Sequence, residues 1–108
     1  MSWFSRRKPP VAGGRSRTKE DQAYLEEFVR SRRGVEGFIE PRTTVTETTL
    51  LLVAHDGEWT RRRVLSPQDA RRFAHRLSMP IYDIALVGYP KRMREYNERR
   101  KREAQEDD

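Results

Sequence analysis

No cysteine occurs among the 108 residues. That removes disulfides, thiolate nucleophiles and every cysteine-based zinc or iron–sulfur site in one step. It also fits a cytoplasmic location, where disulfides are rare. Long apolar runs are missing too. The longest, residues 50–54 (LLLVA), is strand-sized, far short of the roughly 18–20 residues a membrane helix needs, so integral membrane association is not expected. Ser5-Arg6-Arg7-Lys8-Pro9-Pro10 follows Trp3-Phe4 with no apolar segment between, which does not read as a secretory signal. Apolar residues are scarce overall, at 34% against 37% charged, where ordinary soluble domains hold about 45–50% and about 25%. One domain with a small core is the consequence, and residues 23–96 must supply that core.

What the chain has is charge in blocks. Its net +6 is +5 over residues 1–17, zero over 18–33 and −4 over 34–58. It is then +5 over 59–76, −1 over 77–90, +5 over 91–102 and −4 over 103–108. Blocks of one sign make a directional field that attracts polyanions to some faces and repels them from others. The basic residues are 19 Arg and 4 Lys. GC-rich coding accounts for such a bias, and so does a need for planar forks that pair with phosphate or carboxylate.

Residues 1–17 hold two Pro, two Gly and no acid, a disordered basic tail by composition. Thr18-Lys19-Glu20-Asp21 has the form of a helix cap, and Tyr24, Leu25, Phe28 and Val29 share one arc of the helix that follows, ended by Gly34. Residues 35–40 alternate, with Val35, Gly37 and Ile39 set against Glu36, Phe38 and Glu40. Asp56-Gly57 predicts a hairpin of 46–55 with 58–65. Ser66-Pro67-Gln68-Asp69 opens a second helix with Ala70, Phe73, Ala74 and Leu77 on one face, broken by Pro80. Residues 81–87 (IYDIALV) read as a buried strand, and its pairing with the Leu50 strand or the Trp59 strand is left open. A charged helix from Lys91 to about Arg102 precedes an acidic tail, 103–108.

These elements predict an α+β class. The expected form is a small two-layer domain over 18–102, its three- or four-stranded, mostly antiparallel sheet carrying helices on one face. An unpaired edge strand leaves a homodimer by sheet extension open.

Residues able to do covalent chemistry are few. His55 and His75 read as surface histidines, Ser66 as a cap and Gly13-Gly14 as no phosphate loop. Glu36, Glu40, Glu47, Asp56 and Glu58 read as a solvated acidic face, although two carboxylates across a cleft would serve acid–base work. Asp83, a charge in an apolar strand, calls for a partner such as Arg61, Arg63 or Arg92. Neither a metal nor a cofactor is expected, and no catalytic residue is assigned.

The sharper signal is basic. Arg61, Arg62 and Arg63 on a strand are followed by Arg71, Arg72 and Arg76 on a helix, and Trp59 shares a strand face with Arg61 and Arg63. This set suits phosphate contact with one stacking platform. Arg6, Arg7 and Lys8 in the tail and Lys91, Arg92 and Arg94 in the last helix are secondary contacts. Trp3 and Phe4 beside the tail's charges also suit an anionic membrane surface.

The run from Phe28 to Tyr96, about two thirds of the chain, resembles small proteins of high-GC actinobacteria for which no activity is established, on the strength of FVRSRRGVEGFIEPRTTVTETTLLLVAHDGEWTRRRV and YDIALVGYPKRMREYN. The resemblance implies a source and adds no site. The residues themselves point to a small basic non-enzymatic binding module that contacts RNA or a ribonucleoprotein with low sequence specificity. The alternative is a protein-interaction adaptor whose arginine clusters dock an acidic partner. A small enzyme or a peripheral membrane protein stands behind both.

Overall fold

Residues 50–53 are apolar at every position, and a strand of that kind needs cover on both faces. A computed structural model of the protein describes residues 14–106, with side chains from Lys19 onward. Residues 1–13 and 107–108 lie outside the described residues, and with them most of the expected basic tail, Arg6, Arg7 and Lys8 included, and the end of the acidic one. The elements are α1 (Gly14–Ser31), β1 (Glu36–Glu40), β2 (Thr49–Val53), β3 (Trp59–Arg63), α2 (Pro67–Arg76), β4 (Ile81–Asp83), α3 (Ile84–Val87) and α4 (Lys91–Glu106).

The class is α+β, with a four-stranded, mostly antiparallel sheet in the order β3-β2-β1-β4. The predicted hairpin is present, β2 pairing with β3 from Thr49↔Arg63 to Val53↔Trp59. Its turn places Gly57 at φ 97, the left-handed position that glycine fills most readily. The last strand corrects the expectation. It pairs with neither the Leu50 nor the Trp59 strand but runs parallel to β1, Gly37↔Ile81 through Ile39↔Asp83. The physical reason is occupancy, because β2 already has β1 and β3 on its two edges. The crossover through α2 then brings the chain back in the direction of β1, where an edge is open.

The strand is also shorter than the seven residues expected. Asp83 accepts a hydrogen bond from Ala85 N at 3.0 Å and caps the single helical turn α3. Its partner is thus a backbone amide rather than an arginine, a local bond that competes with the ladder. The Leu86 and Val87 side chains, expected inside, are 85% and 53% exposed.

The two faces of β2 bury different neighbours. Leu50 and Leu52 join Ile39, Leu25 and Phe28, with Ala70, Phe73, Ala74 and Met79 from α2 and the loop after it. Leu51 and Val53 join Phe38 and Met93 on the other side, with Trp59 and Ile84 packed against them. The helices, expected on one face, therefore divide. α1 and α2 cover one side, and α4 lies against the other through Met93, its one buried residue. Each fully buried leucine contributes about 1.5–3 kcal/mol, so β2 is the energetic centre.

Helix ends follow local chemistry in one case and override it in two. Ser66 Oγ accepts Asp69 N at 3.1 Å and Pro67 opens α2, as predicted. The helix stops before Pro80, with Ser78 at φ 54 and Met79 N bonded to Ala74 O at 2.8 Å, a Schellman-type ending. α1 begins at Gly14, not Thr18, because a cap residue worth about 1 kcal/mol does not stop a helix that gains bonds by continuing. α4 likewise runs on to Glu106, beyond Arg102.

Candidate nucleic-acid interface

Strand alternation divides the three arginines of β3. Arg61 and Arg63 face the α4 side with Trp59, opposite Leu51, Thr49 and Val53 respectively. Arg62 points to the α1 side, opposite Leu50.

Arg61 is committed to Glu40. Its Nε and Nη2 donate to Oε1 and Oε2 at 2.9 and 2.8 Å, a two-pronged pair of the strong kind. Glu40 also accepts Thr49 Oγ1 at 2.7 Å and the Tyr89 hydroxyl at 2.6 Å. Burial alone would raise the Glu40 pKa, but the hydrogen bonds from Arg61, Thr49 and Tyr89 outweigh it and hold the carboxyl below its usual value. The same contacts work in the opposite sense on the donors. Tyr89 is raised above the ordinary phenol, first by its bond to Glu40 and then by burial. Arg61 is raised by its bond to Glu40.

The other members of the set have partners as well. Arg62 lies 3.8 Å from the Tyr24 ring centroid and 3.6 Å from Asp21 Oδ1. Arg63 lies 3.6 Å from Glu47 Oε1. Trp59, half-buried, donates its indole N–H to Asn97 Oδ1 at 2.8 Å and has Arg61 5.1 Å from its ring centroid. It is held between a strand and α4 rather than offered as a bare platform.

On α2 the balance differs. Arg72 pairs with Asp69 one turn earlier while 73% of its side chain stays exposed. Arg76, 51% exposed, lies 3.6 Å from Glu26 of α1. Arg71 is exposed and forms no ion pair among the described residues. These three arginines line an open groove of ≈ 980 Å³ whose apolar lining includes Phe73, Met79 and Ile81.

The secondary set is mainly structural. Arg92 donates to Glu36 Oε1 at 2.7 Å, to Ala54 O at 2.9 Å and to Val53 O at 3.3 Å, tying α4 to the hairpin. Arg94 donates to Tyr89 O at 3.3 Å. Lys91 sits 3.8 Å from Glu95 and is 80% exposed.

The predicted arginines therefore do not converge. Arg61 and Arg63 lie on one face of the sheet, and Arg71, Arg72 and Arg76 belong to a helix on the other. Sequence reasoning missed the Glu40–Tyr89 contact, which spans 49 positions. The alternation of 36–40 put Glu40 on the same face as Phe38, the only available signal. Both histidines are exposed, and among the described residues no three His, Asp or Glu side chains form a group able to hold a metal ion. No described helix is long and apolar enough to cross a membrane. Comparison with protein-family models, with curated proteins and with solved structures finds no match.

Proposed function

We propose that the chain is a non-enzymatic binding module of the cytoplasm that contacts RNA or a ribonucleoprotein through the outer side of α2, with low sequence specificity. The observation that carries the reading is the contrast between the two arginine clusters. Arg61 commits both Nε and Nη2 to Glu40, whereas on α2 Arg71 forms no ion pair among the described residues and Arg72 and Arg76 keep 73% and 51% of their side chains exposed. Guanidinium forks presented in this way pair with phosphate oxygens and position a polyanion without reading its bases.

The test is binding of labelled mixed-sequence RNA at several salt concentrations. The wild type should bind with a steep salt dependence. Replacing Arg71, Arg72 and Arg76 together by Ala should weaken binding and flatten the log–log slope by about 2, at roughly 0.7 per lost contact on a single strand. Arg61→Ala should leave the slope unchanged. Absence of binding at low salt overturns the reading.

A second reading is favoured by the apolar floor of the same groove. Phe73 and Met79 beneath arginines suit an acidic protein segment with an apolar anchor. A partner of that kind remains bound after nuclease treatment, and an RNA does not.

A further inference from the structure

The α2 groove holds one imidazole, that of His75, among Arg71, Arg72 and Arg76. His75 follows Arg71 by four positions and Arg72 by three, so helical spacing sets the three side chains beside one another, roughly 5–6 Å apart at Cβ. Arg76 continues the same arc one turn after Arg72. All four are exposed, while Ala70, Phe73 and Ala74 bury the opposite side of the helix. The His75 ring forms no ion pair or hydrogen bond among the described residues, which leaves its nitrogens to a ligand.

We propose that His75 is a fourth phosphate contact of this groove, made only when its ring is protonated, so that RNA is held more tightly below neutral pH. The inference rests on the RNA reading of α2 and adds a residue and a control to it. Imidazole is the side chain whose ordinary charge change falls between pH 5 and 8. Guanidinium groups stay charged throughout that range, and ordinary carboxylates stay ionised. Among the described residues lining the groove, His75 is therefore the one that changes the number of cations near neutrality.

The groups around His75 set the sign. On α2 they are Arg71, Arg72, Arg76 and Asp69, whose carboxylate is engaged by Arg72. From α1, Gln22 reaches the groove without charge and Glu26 faces Arg76. Met79, after α2, and Ile81 of β4 are apolar. Cations thus outnumber anions on this face before the ring is counted. A phosphate chain laid along the arginines puts negative charge beside the ring and favours its charged form. Binding then takes up a proton, and by linkage a proton tightens binding.

The experiment is binding of cyanine-labelled oligouridylate, whose bases keep one charge state in this range, at about pH 5.5 and about pH 7.5 and constant ionic strength. The wild type should bind about three- to five-fold more tightly at the lower pH, with a salt slope steeper by up to about 0.7. His75→Gln, at an exposed site that leaves folding unchanged, should bind equally at both. His55→Gln, at the other exposed histidine, should keep the difference. The Cε1 proton resonance of His75 should also titrate at higher pH with oligouridylate than without it, which a merely structural histidine would not do. Equal wild-type affinity at the two pH values overturns the proposal, as does a difference that survives His75→Gln. Either result leaves the RNA reading standing if binding still weakens in the triple arginine variant, whereas absence of binding at both pH values overturns the two together.

Discussion

Tyr89 donates its hydroxyl hydrogen to Glu40 Oε2 at 2.6 Å and so ties the loop before α4 to the last residue of β1. Glu40 lies opposite Thr49 in the sheet and beneath Arg61 of β3. One carboxylate thus holds three strands and the approach to α4 together. Hydrogen bonds to a charged acceptor are worth more than neutral ones, and α4 has little apolar burial of its own to hold it.

Stability should be lost on acidification partly through Glu40. Its folded pKa lies below the unfolded carboxylate value, so the contribution is present above the unfolded pKa, about 4.3, and disappears as pH falls through the folded one. Thermal melts of wild type and Glu40→Gln across that acid range will test it. The wild type should lose more melting temperature on acidification than the variant, and parallel curves would refute the assignment.

Tyr89→Phe should destabilise the protein by about 1.5 kcal/mol, the lower end for a hydrogen bond to a charged group because Tyr89 is half-exposed, measured by urea denaturation. Tyr89 should also ionise above an ordinary tyrosine. Ultraviolet titration of Tyr89→Phe should therefore lack a phenol that titrates above the ordinary value in the wild type.

Gly57 should tolerate no side chain. A Cβ there would come within 2.1 Å of Arg92 O and 2.8 Å of Tyr96 Cβ, and positive φ costs a further 1–2 kcal/mol or about that. Gly57→Ala should lift α4 from the hairpin. In a Trp3→Phe background, Trp59 fluorescence should then report loss of the bond to Asn97. An unchanged spectrum would show that α4 is not seated on this turn.

Ser78→Gly should stabilise the protein by about 1 kcal/mol, because Ser78 holds the left-handed conformation at the end of α2. A melting temperature equal to or below the wild type's would mean that the serine makes a compensating contact.

Several features follow from the sequence alone, because each is decided by neighbours in the chain. Ser66-Pro67 starts a helix through a cap and a preset φ. Asp56-Gly57 closes a hairpin because only such residues fit its backbone. The unbroken apolar run at 50–53 demands a strand buried on both faces. Charge blocks are likewise local, and so the arginine clusters were legible.

What those arginines touch was not. Arg61 meets Glu40, Arg62 meets Tyr24 and Asp21, and Arg92 meets Glu36, in each case across a strand pairing or a helix docking. Tertiary structure also decided that β4 enters parallel to β1, because edge availability depends on which strands have already paired. That strand ends at Asp83 for a local reason, a carboxylate capping the next turn, but tertiary structure left the apolar Leu86 and Val87 exposed. It placed α4 on the far face of the sheet, since only the assembled sheet shows that Leu51 and Val53 still need cover. Sequence set which groups this chain holds and where its turns fall. Long-range packing set which charges are spent inside the molecule and which remain at its surface.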